Sequence, residues 1–257
     1  MRFIRLKNNQ NGFAIIEAAI IGVVIAAASI TAGIVYHNRH NNPCPAGETP
    51  EYGTLAEPAH EKPFCLREGQ QPLLTKPVIY LYPTHSEQVS VRLSVPAGLS
   101  RSVPNYNSTS GWQVIAQPDG TLTNLSDGKT YPNLFWESNP TSIHFNMTTG
   151  FVVTGTTTKA FLEHQLSTMG LNQQETNDFI TYWIPRIDNN PYNLIHFAGS
   201  EYTDYAKLSI APRPDSLLRV FMVVAPLQQP LTLPPQTFPV FHRVGFTVVE
   251  WGGTELY

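Results

Sequence analysis

The sequence predicts an α+β fold: an N-terminal transmembrane helix followed by a β-rich, sandwich-like domain with one inserted helical hairpin. A long apolar stretch near the N-terminus, a polar proline-rich stretch after it and many short β-type runs thereafter indicate this order. The chain of 257 residues contains 22 prolines and 17 glycines, which favour frequent turns over long helices. Apolar residues recur mostly with the period of two that is typical of strands, and with helical spacing in one region.

The apolar stretch covers residues 13–36 and contains one charged residue, Glu17. At 1.5 Å per helical residue it can cross a hydrocarbon core of about 30 Å. Residues 1–12 form a leader with basic residues and no acid, and such a flank stays in the cytoplasm. The sequence therefore predicts a single-pass, membrane-anchored protein whose C-terminal domain lies outside the cytoplasm, at the cell surface.

Glu17 is unusual, because insertion of a carboxylate at the centre of a membrane helix costs about 2.5 to 3.5 kcal/mol. Gly12 ends the leader, Phe13 follows, and Glu17 is the fifth residue counted from Phe13. This arrangement resembles the signal of type IV pilin-like proteins. The resemblance implies cleavage after Gly12, methylation of Phe13 and pairing of Glu17 with the terminal amine of a neighbouring pilin-like subunit.

The resemblance to larger pilins ends beyond the membrane segment. Their first helix continues further, whereas Asn41-Asn42-Pro43 is predicted to end the helix here, which is typical of a minor or pilin-like subunit. Two other interpretations remain: an uncleaved anchor, or a secretory signal cut near Ala26-Ala27-Ala28. Glu17 and the apolar sequence beyond that cut argue against the secretory signal.

Residues 37–75 form a proline-rich linker that contains both cysteines of the chain, Cys44 and Cys65. Outside the cytoplasm such a pair oxidises, so we predict a disulfide that stiffens the linker. In the chain-entropy model a loop of this size contributes about 3 kcal/mol. No histidine or further cysteine lies at ligand spacing, so neither a metal site nor a catalytic thiol is expected here.

The globular domain is assigned to residues 76–257. It is predicted to open with a buried strand at 76–83, followed by an alternating, half-buried strand at 89–95. Further strands are predicted at 112–116, 131–136, 151–153, 194–197, 207–210, 217–224 and 245–251. An immunoglobulin-like first half is compatible with this pattern. Three apolar residues of these runs are predicted to lie in the core: Leu93, Val220 and Val248.

The helical hairpin is predicted between the strands at 151–153 and 194–197. Gly170 is predicted to end the first helix, and Asn172 with Glu175 forms a capping-box-like start for the second. Pro185 is predicted to stop the second helix. The two apolar faces consist of Phe161, Leu162, Leu166 and Met169 in the first helix and of Phe179, Ile180 and Trp183 in the second.

A second resemblance covers residues 76–254. The runs KPVIYLYP, LFWE, NDFITYW, NPYN, LLRVFMV and GFTVVEWGGT are similar to those of an uncharacterised family of bacterial secreted or cell-surface proteins. The resemblance implies the extent of the domain and an extracytoplasmic setting. It implies no catalytic residue.

Several kinds of function are disfavoured by the sequence. The formal net charge is −3 and the basic residues are scattered, so no nucleic acid partner is expected. No glycine-rich phosphate loop and no G-x-S-x-G elbow occurs, and the histidines at 85, 144, 164, 196 and 242 lack metal-ligand spacing. We therefore predict no cofactor and no metal.

Two carboxylates adjacent to tryptophans are the candidate catalytic groups. Glu137 follows Trp136 and Glu250 precedes Trp251, and glycoside hydrolysis uses paired acids of this kind. The alternative is that each acid caps a turn, satisfies backbone donors or pairs with an arginine, such as Arg219 or Arg243.

Three aromatic residues are candidate contacts for a surface glycan or a protein ligand: Trp136, Tyr192 and Trp251. Tyr192 lies in the polar run 189–193, which could alternatively be a plain connection after the second helix. The sequence predicts a membrane-anchored extracytoplasmic interaction protein, with a minor pilin-like subunit as its specific form. A glycan-active envelope enzyme using Glu137 and Glu250, and a structural envelope spacer, are the alternatives.

Overall fold

The structure is a computed structural model that describes residues 71–256 and two short strands that precede them, β1 (Glu48–Pro50) and β2 (Cys65–Arg67). β1 and β2 pair antiparallel. Among the described residues, no helix has the length and apolar character needed to cross a membrane. The predictions for residues 13–36, for Gly12, Phe13 and Glu17, and for the Cys44–Cys65 disulfide fall outside the described residues.

A mixed sheet of seven strands forms the middle layer of the domain. Its spatial order is β10-β11-β13-β14-β3-β9-β5, and every neighbouring pair is antiparallel except β13 and β14, which are parallel. The strands are β3 (Thr75–Tyr82), β5 (Leu99–Val103), β9 (Leu134–Ser138), β10 (Phe151–Thr154), β11 (Tyr192–Ala198), β13 (Ser216–Leu227) and β14 (Thr247–Glu255).

A second sheet of five antiparallel strands covers one face of this layer, in the order β12-β4-β6-β7-β8. Its strands are β4 (Glu87–Ser94), β6 (Trp112–Ala116), β7 (Leu122–Asn124), β8 (Thr130–Tyr131) and β12 (Lys207–Ala211). The core between the sheets contains Val89, Trp112 and Leu122 of the small sheet and Leu134, Phe221 and Val248 of the large one.

Two long helices, α1 (Gly155–Met169) and α2 (Gln173–Ile187), cover the other face, and the short α3 (Ser200–Tyr205) follows β11. The predicted helix ends are confirmed for Gly170, a left-handed C-cap, and for the reciprocal capping box of Asn172 and Glu175. The predicted stop at Pro185 is wrong. The helix continues to Ile187, and the Asp188 N–H bonds the Ile184 carbonyl 3.0 Å away, so α2 makes a helical bond past the proline.

The second core lies between the helices and the large sheet. Leu162, Leu166, Phe179 and Trp183 are buried there against β-residues such as Met222 and Trp251. The domain therefore has three layers, with the small sheet, the large sheet and the helices in that order, because the large sheet buries an apolar face on each side.

The β-rich fold with helices is confirmed, and most predicted strands occur within a few residues of their predicted ends. Val220 and Val248 are buried as predicted, whereas Leu93 is only partly buried at the margin of the inter-sheet core. An immunoglobulin-like first half does not occur, because β3, β5 and β9 join a sheet completed by strands from the second half. Five elements had no counterpart in the sequence-based prediction: β1, β2, β5, β7 and α3.

Candidate functional site

Glu250 lies in β14 with its side chain completely buried between the two sheets. Arg219 of β13 is its direct neighbour in the parallel register, and the Arg219 Nε donates a hydrogen bond of 2.6 Å to Oε2 of Glu250. The indole Nε1 of Trp136 donates to Oε1 over 3.2 Å. Both carboxylate oxygens of Glu250 are thus bound by the chain itself.

Tyr202 of α3 completes this buried group. The guanidinium of Arg219 lies 4.7 Å from the centre of the Tyr202 ring, which is a cation–π distance. Burial raises the pKa of Tyr202 well above 10; the nearby Glu250 charge raises it further, while Arg219 opposes the rise. The tyrosine therefore stays protonated, and the group joins β9, β13, β14 and α3.

Glu137 faces the other side of the same sheet. Neighbouring residues of a strand point to opposite faces, so Glu137 faces away from the core in which Trp136 contacts Glu250. Its side chain is 20% exposed and lies 3.5 Å from the Arg101 guanidinium. The structure therefore does not bring Glu137 and Glu250 together in one cleft as an acid pair, and the pairing of Glu250 with Arg219 matches the structural alternative.

The Trp251-Gly252-Gly253 run has a packing role. A Cβ on Gly253 would lie 2.5 Å from the Trp183 ring and 2.6 Å from the Met222 carbonyl oxygen. A Cβ on Gly252 would lie 3.0 Å from Pro77, opposite which the β3–β14 register shifts. These glycines let the backbone of β14 approach β3 and α2 closely.

Lys76, which the sequence analysis did not single out, lies at this irregularity. It is the one non-glycine residue with a positive φ among the described residues, at 57°. Its Nζ lies 4.7 Å from the Phe135 ring centre and 5.8 Å from that of Tyr182. Burial lowers the pKa of Lys76, while Glu137 and Asp178 counteract the shift. A lysine before a proline is too common a pattern to have indicated this environment.

The three aromatic binding candidates do not form an exposed platform. Trp136 and Trp251 are completely buried, and Tyr192 is half-buried at the start of β11. The run 189–193 has a structural role. The buried Asn193 amide donates to the Thr158 hydroxyl over 2.9 Å and to the Ile187 carbonyl over 2.8 Å, which ties both helices to β11.

An open cleft lies at the end of the large sheet where two neighbouring strands differ in length. β11 ends at Ala198, which pairs with Phe221, so residues 216–220 of β13 extend beyond it without a strand partner on that side within the described chain. The cleft has a volume of about 510 Å³. Its lining is mostly apolar and includes Met169, Leu217, Leu218, Phe238, Val240 and Phe241. No sequence signal could have found it, because it results from a difference in strand length.

The wall facing this edge is the segment 238–241, which has no regular secondary structure and is held at both ends. On one side, the Gln236 side chain accepts from the Phe197 N–H over 2.7 Å and donates to the Phe197 carbonyl over 3.0 Å. On the other, Arg243 donates to the Gly170 carbonyl over 3.0 Å and pairs with the buried Glu175. The cleft is therefore preformed. Among residues 71–256, no cluster of three or more metal-ligating side chains occurs.

Comparison with known proteins yields one partial match. No family model matches the sequence. No solved structure matches it either. Over 63 residues the chain is 43% identical to a protein of Butyrivibrio fibrisolvens described as "Uncharacterized protein in bglA 3'region". The match covers 24% of this chain and 64% of that protein, so the chain spans less than two thirds of that relative's length.

Proposed function

We propose that the protein is a membrane-anchored extracytoplasmic interaction protein, a minor pilin-like surface subunit whose domain binds another macromolecule. The observation that carries the proposal is the concentration of exposed apolar side chains at the cleft. Leu217 is 43% exposed, Val240 74% and Val244 61%, and Val244 is held next to the β13 start by backbone hydrogen bonds with the Ser216 hydroxyl. Exposed apolar surface next to a preformed cleft is typical of a binding site.

The buried charges also favour binding over bond cleavage. Glu250 is bound by Arg219 and Trp136, and Glu175 by Arg243 and the Asn172 N–H. Both carboxylate oxygens of Glu250 are bound, and the side chain of Glu175 is completely buried, so neither carboxylate faces an open cleft. The glycan-active alternative, which needs Glu137 and Glu250 together, gains no support from their placement on opposite faces of the sheet.

A pure spacer has no use for an open apolar cleft, which would only promote nonspecific association. The N-terminal segment supports the location in this proposal: its basic leader, its length and the Gly12, Phe13 and Glu17 pattern are those of a pilin-like anchor. In this function the segment places the domain outside the cytoplasm, and the domain contributes the contacts.

The test uses the full chain in intact cells of its native host. External protease should remove the domain without cell lysis, and a membrane-impermeant cross-linker should join the protein to a reproducible partner. Digestion only after lysis would contradict the location. A protein that is accessible but is recovered only as an uncross-linked monomer would contradict the interaction role.

A further inference from the structure

We propose that the open edge of β13 binds an extended, apolar peptide segment of a partner protein, which adds to the large sheet as a further strand. The inference rests on the proposed interaction function and specifies its site. Strand addition uses unpaired backbone groups for affinity and side-chain pockets for specificity.

The backbone direction of β13 shows which groups are available. The Ser216 N–H bonds the Phe246 carbonyl over 3.2 Å, and the Val224 carbonyl accepts from the Leu256 N–H over 2.8 Å. The backbone N–H and carbonyl groups of the even-numbered residues of β13 therefore point to β14. The pairing of the two strands has no bulge, so this alternation holds along the whole strand. Because backbone groups alternate along a strand, those of Leu217 and Arg219 point to the opposite side, beyond the end of β11.

The adjoining open edge is closed by the chain itself. β10 begins opposite Ile195 of β11 and therefore does not pair with Phe197. The N–H and the carbonyl of Phe197 are instead both bound by the side-chain amide of Gln236, which takes the place of a strand. No such substitute occupies the edge at Leu217 and Arg219 in the described part of the chain. The same segment that supplies Gln236 then runs along the far side of the cleft at 238–241.

The dimensions and charge of the cleft fit a short extended peptide. The five residues at 216–220 offer an edge of about 17 Å at 3.4 Å per residue. Arg219 is the one charged residue among those lining the cleft, and Glu250 already neutralises it. The complementary side chains are therefore uncharged, and those on the helix-facing side are apolar, because Met169, Phe238 and Phe241 lie there.

The point at which the chain enters β3 favours an occupant from another chain over the residues that lead directly into β3. β3 starts at Thr75, opposite Gly253, and runs to Tyr82, which lies opposite Thr247 and hence beside Ser216 in the sheet. The chain thus enters the sheet at the end away from the cleft. The eight residues of β3 separate the two ends by about 27 Å.

The experiment uses the full chain in detergent and a labelled seven-residue peptide of alternating valine and threonine. We expect saturable binding, with slower amide exchange at 216–220 on addition of the peptide. N-methylation of one alternating set of peptide nitrogens should weaken binding at least tenfold, and methylation of the other set should change it less than threefold. Equal effects of the two methylations, absence of binding, or protection only outside 216–220 would overturn the proposal.

Matched variants locate the site. Val240→Asp should weaken binding at least tenfold by placing a charge on the apolar wall. Leu125→Asp changes a residue of similar type that is 48% exposed in the turn after β7, and it should leave binding within twofold. Leu217→Pro removes one N–H that faces the edge and leaves those bonded to β14. If Leu217→Pro fails to fold, Val240→Asp still tests whether the peptide binds in the cleft. Unchanged peptide binding by Val240→Asp overturns the proposal.

Two outcomes separate this inference from the proposed function. A partner cross-link in cells that persists in Val240→Asp overturns the cleft as the site while leaving the interaction function intact. Peptide binding without any partner in cells contradicts the function and leaves the edge as a strand-binding site. Concentration-dependent dimerisation that the peptide abolishes would identify a second copy as the occupant and overturn the choice of a different partner.

Discussion

Arg219 and Glu250 are direct neighbours across the parallel β13–β14 pair, and their side chains meet in a hydrogen bond of 2.6 Å inside the inter-sheet core. The Arg219 side chain is 8% exposed and that of Glu250 is not exposed. A buried ion pair adds little net stability relative to apolar residues, but removing one partner leaves an uncompensated charge. This pair therefore makes the ends of β13 and β14 sensitive to single substitutions.

The first prediction concerns that sensitivity. Glu250→Ala should lower the free energy of unfolding by about 3 to 5 kcal/mol, because Arg219 and the Trp136 N–H lose their acceptor in the core. Glu137→Ala should lower it by less than about 1 kcal/mol, because its partner Arg101 is 76% exposed and stays solvated when the pair is lost. Denaturant unfolding of the full chain in detergent measures both. Equal losses would show that Glu250 is not held as described.

The second prediction concerns the close approach at Gly253. Gly253→Ala should destabilise the domain by about 1 to 3 kcal/mol, because the added methyl overlaps the Trp183 ring and the Met222 carbonyl. Gly128→Ala is the control: its Cβ meets no atom within 4 Å, although its φ of 68° alone costs about 1 to 2 kcal/mol. Thermal unfolding monitored by tryptophan fluorescence should also show a changed Trp183 environment in Gly253→Ala only.

The third prediction concerns the pH dependence of stability. The Nδ1 of His196 lies 2.8 Å from the Thr149 carbonyl oxygen, and burial lowers the pKa of this histidine, against the opposing effects of that bond and of Glu201. Well above pH 6.5 the ring is neutral in both the folded and the unfolded state and contributes no pH dependence. Below it, the unfolded chain binds a proton more readily than the folded one, so the free energy of unfolding falls as pH falls.

His196→Gln should therefore show a smaller loss of stability between about pH 7.5 and pH 5.5 than the wild type, even though it is less stable at the higher pH. His85→Gln, a change at an exposed histidine, should keep the wild-type loss. Urea titrations at the two pH values measure the difference. A loss that is unchanged in His196→Gln would assign the pH dependence to other groups.

The fourth prediction concerns the linker. Cys44 and Cys65 should be bonded to each other in the protein recovered from its native compartment. Thiol titration of the denatured, unreduced protein should find no free thiol, and reduction should release two. Two free thiols before reduction would contradict the extracytoplasmic assignment of the linker as well as the bond.

The fifth prediction concerns Glu17 and Gly12. If the anchor is pilin-like, the mature protein begins at Phe13, and Glu17→Ala impairs assembly with partner subunits while membrane insertion is kept. Gly12→Val should block processing, because a peptidase that closes on that glycine leaves no room for a side chain. Intact mass and recovery in a sheared surface fraction measure both. An intact Met1 terminus, or normal assembly of Glu17→Ala, would leave a plain anchor.

The sequence by itself determined the features that depend on neighbouring residues. The alternation at 112–116 specified β6 to the residue, and Gly170, Asn172 and Glu175 marked the turn between the helices, because caps and strand phase arise from contacts a few residues apart. Pro185 misled, because a local helix breaker was placed in the last turn of a helix whose end, Ile187, is buried against the sheet.

Only the tertiary structure decided the roles of the acids and the position of the cleft. Glu137 and Glu250 are equivalent in sequence, each adjacent to a tryptophan, yet sheet order and strand phase direct one to the helix side and the other to Arg219. The open edge at Leu217 and Arg219 arises because β11 ends at Ala198 while β13 starts five residues beyond the Phe221 pair. Strand partners and their relative lengths result from contacts between residues far apart in the chain, and local sequence patterns do not contain that information.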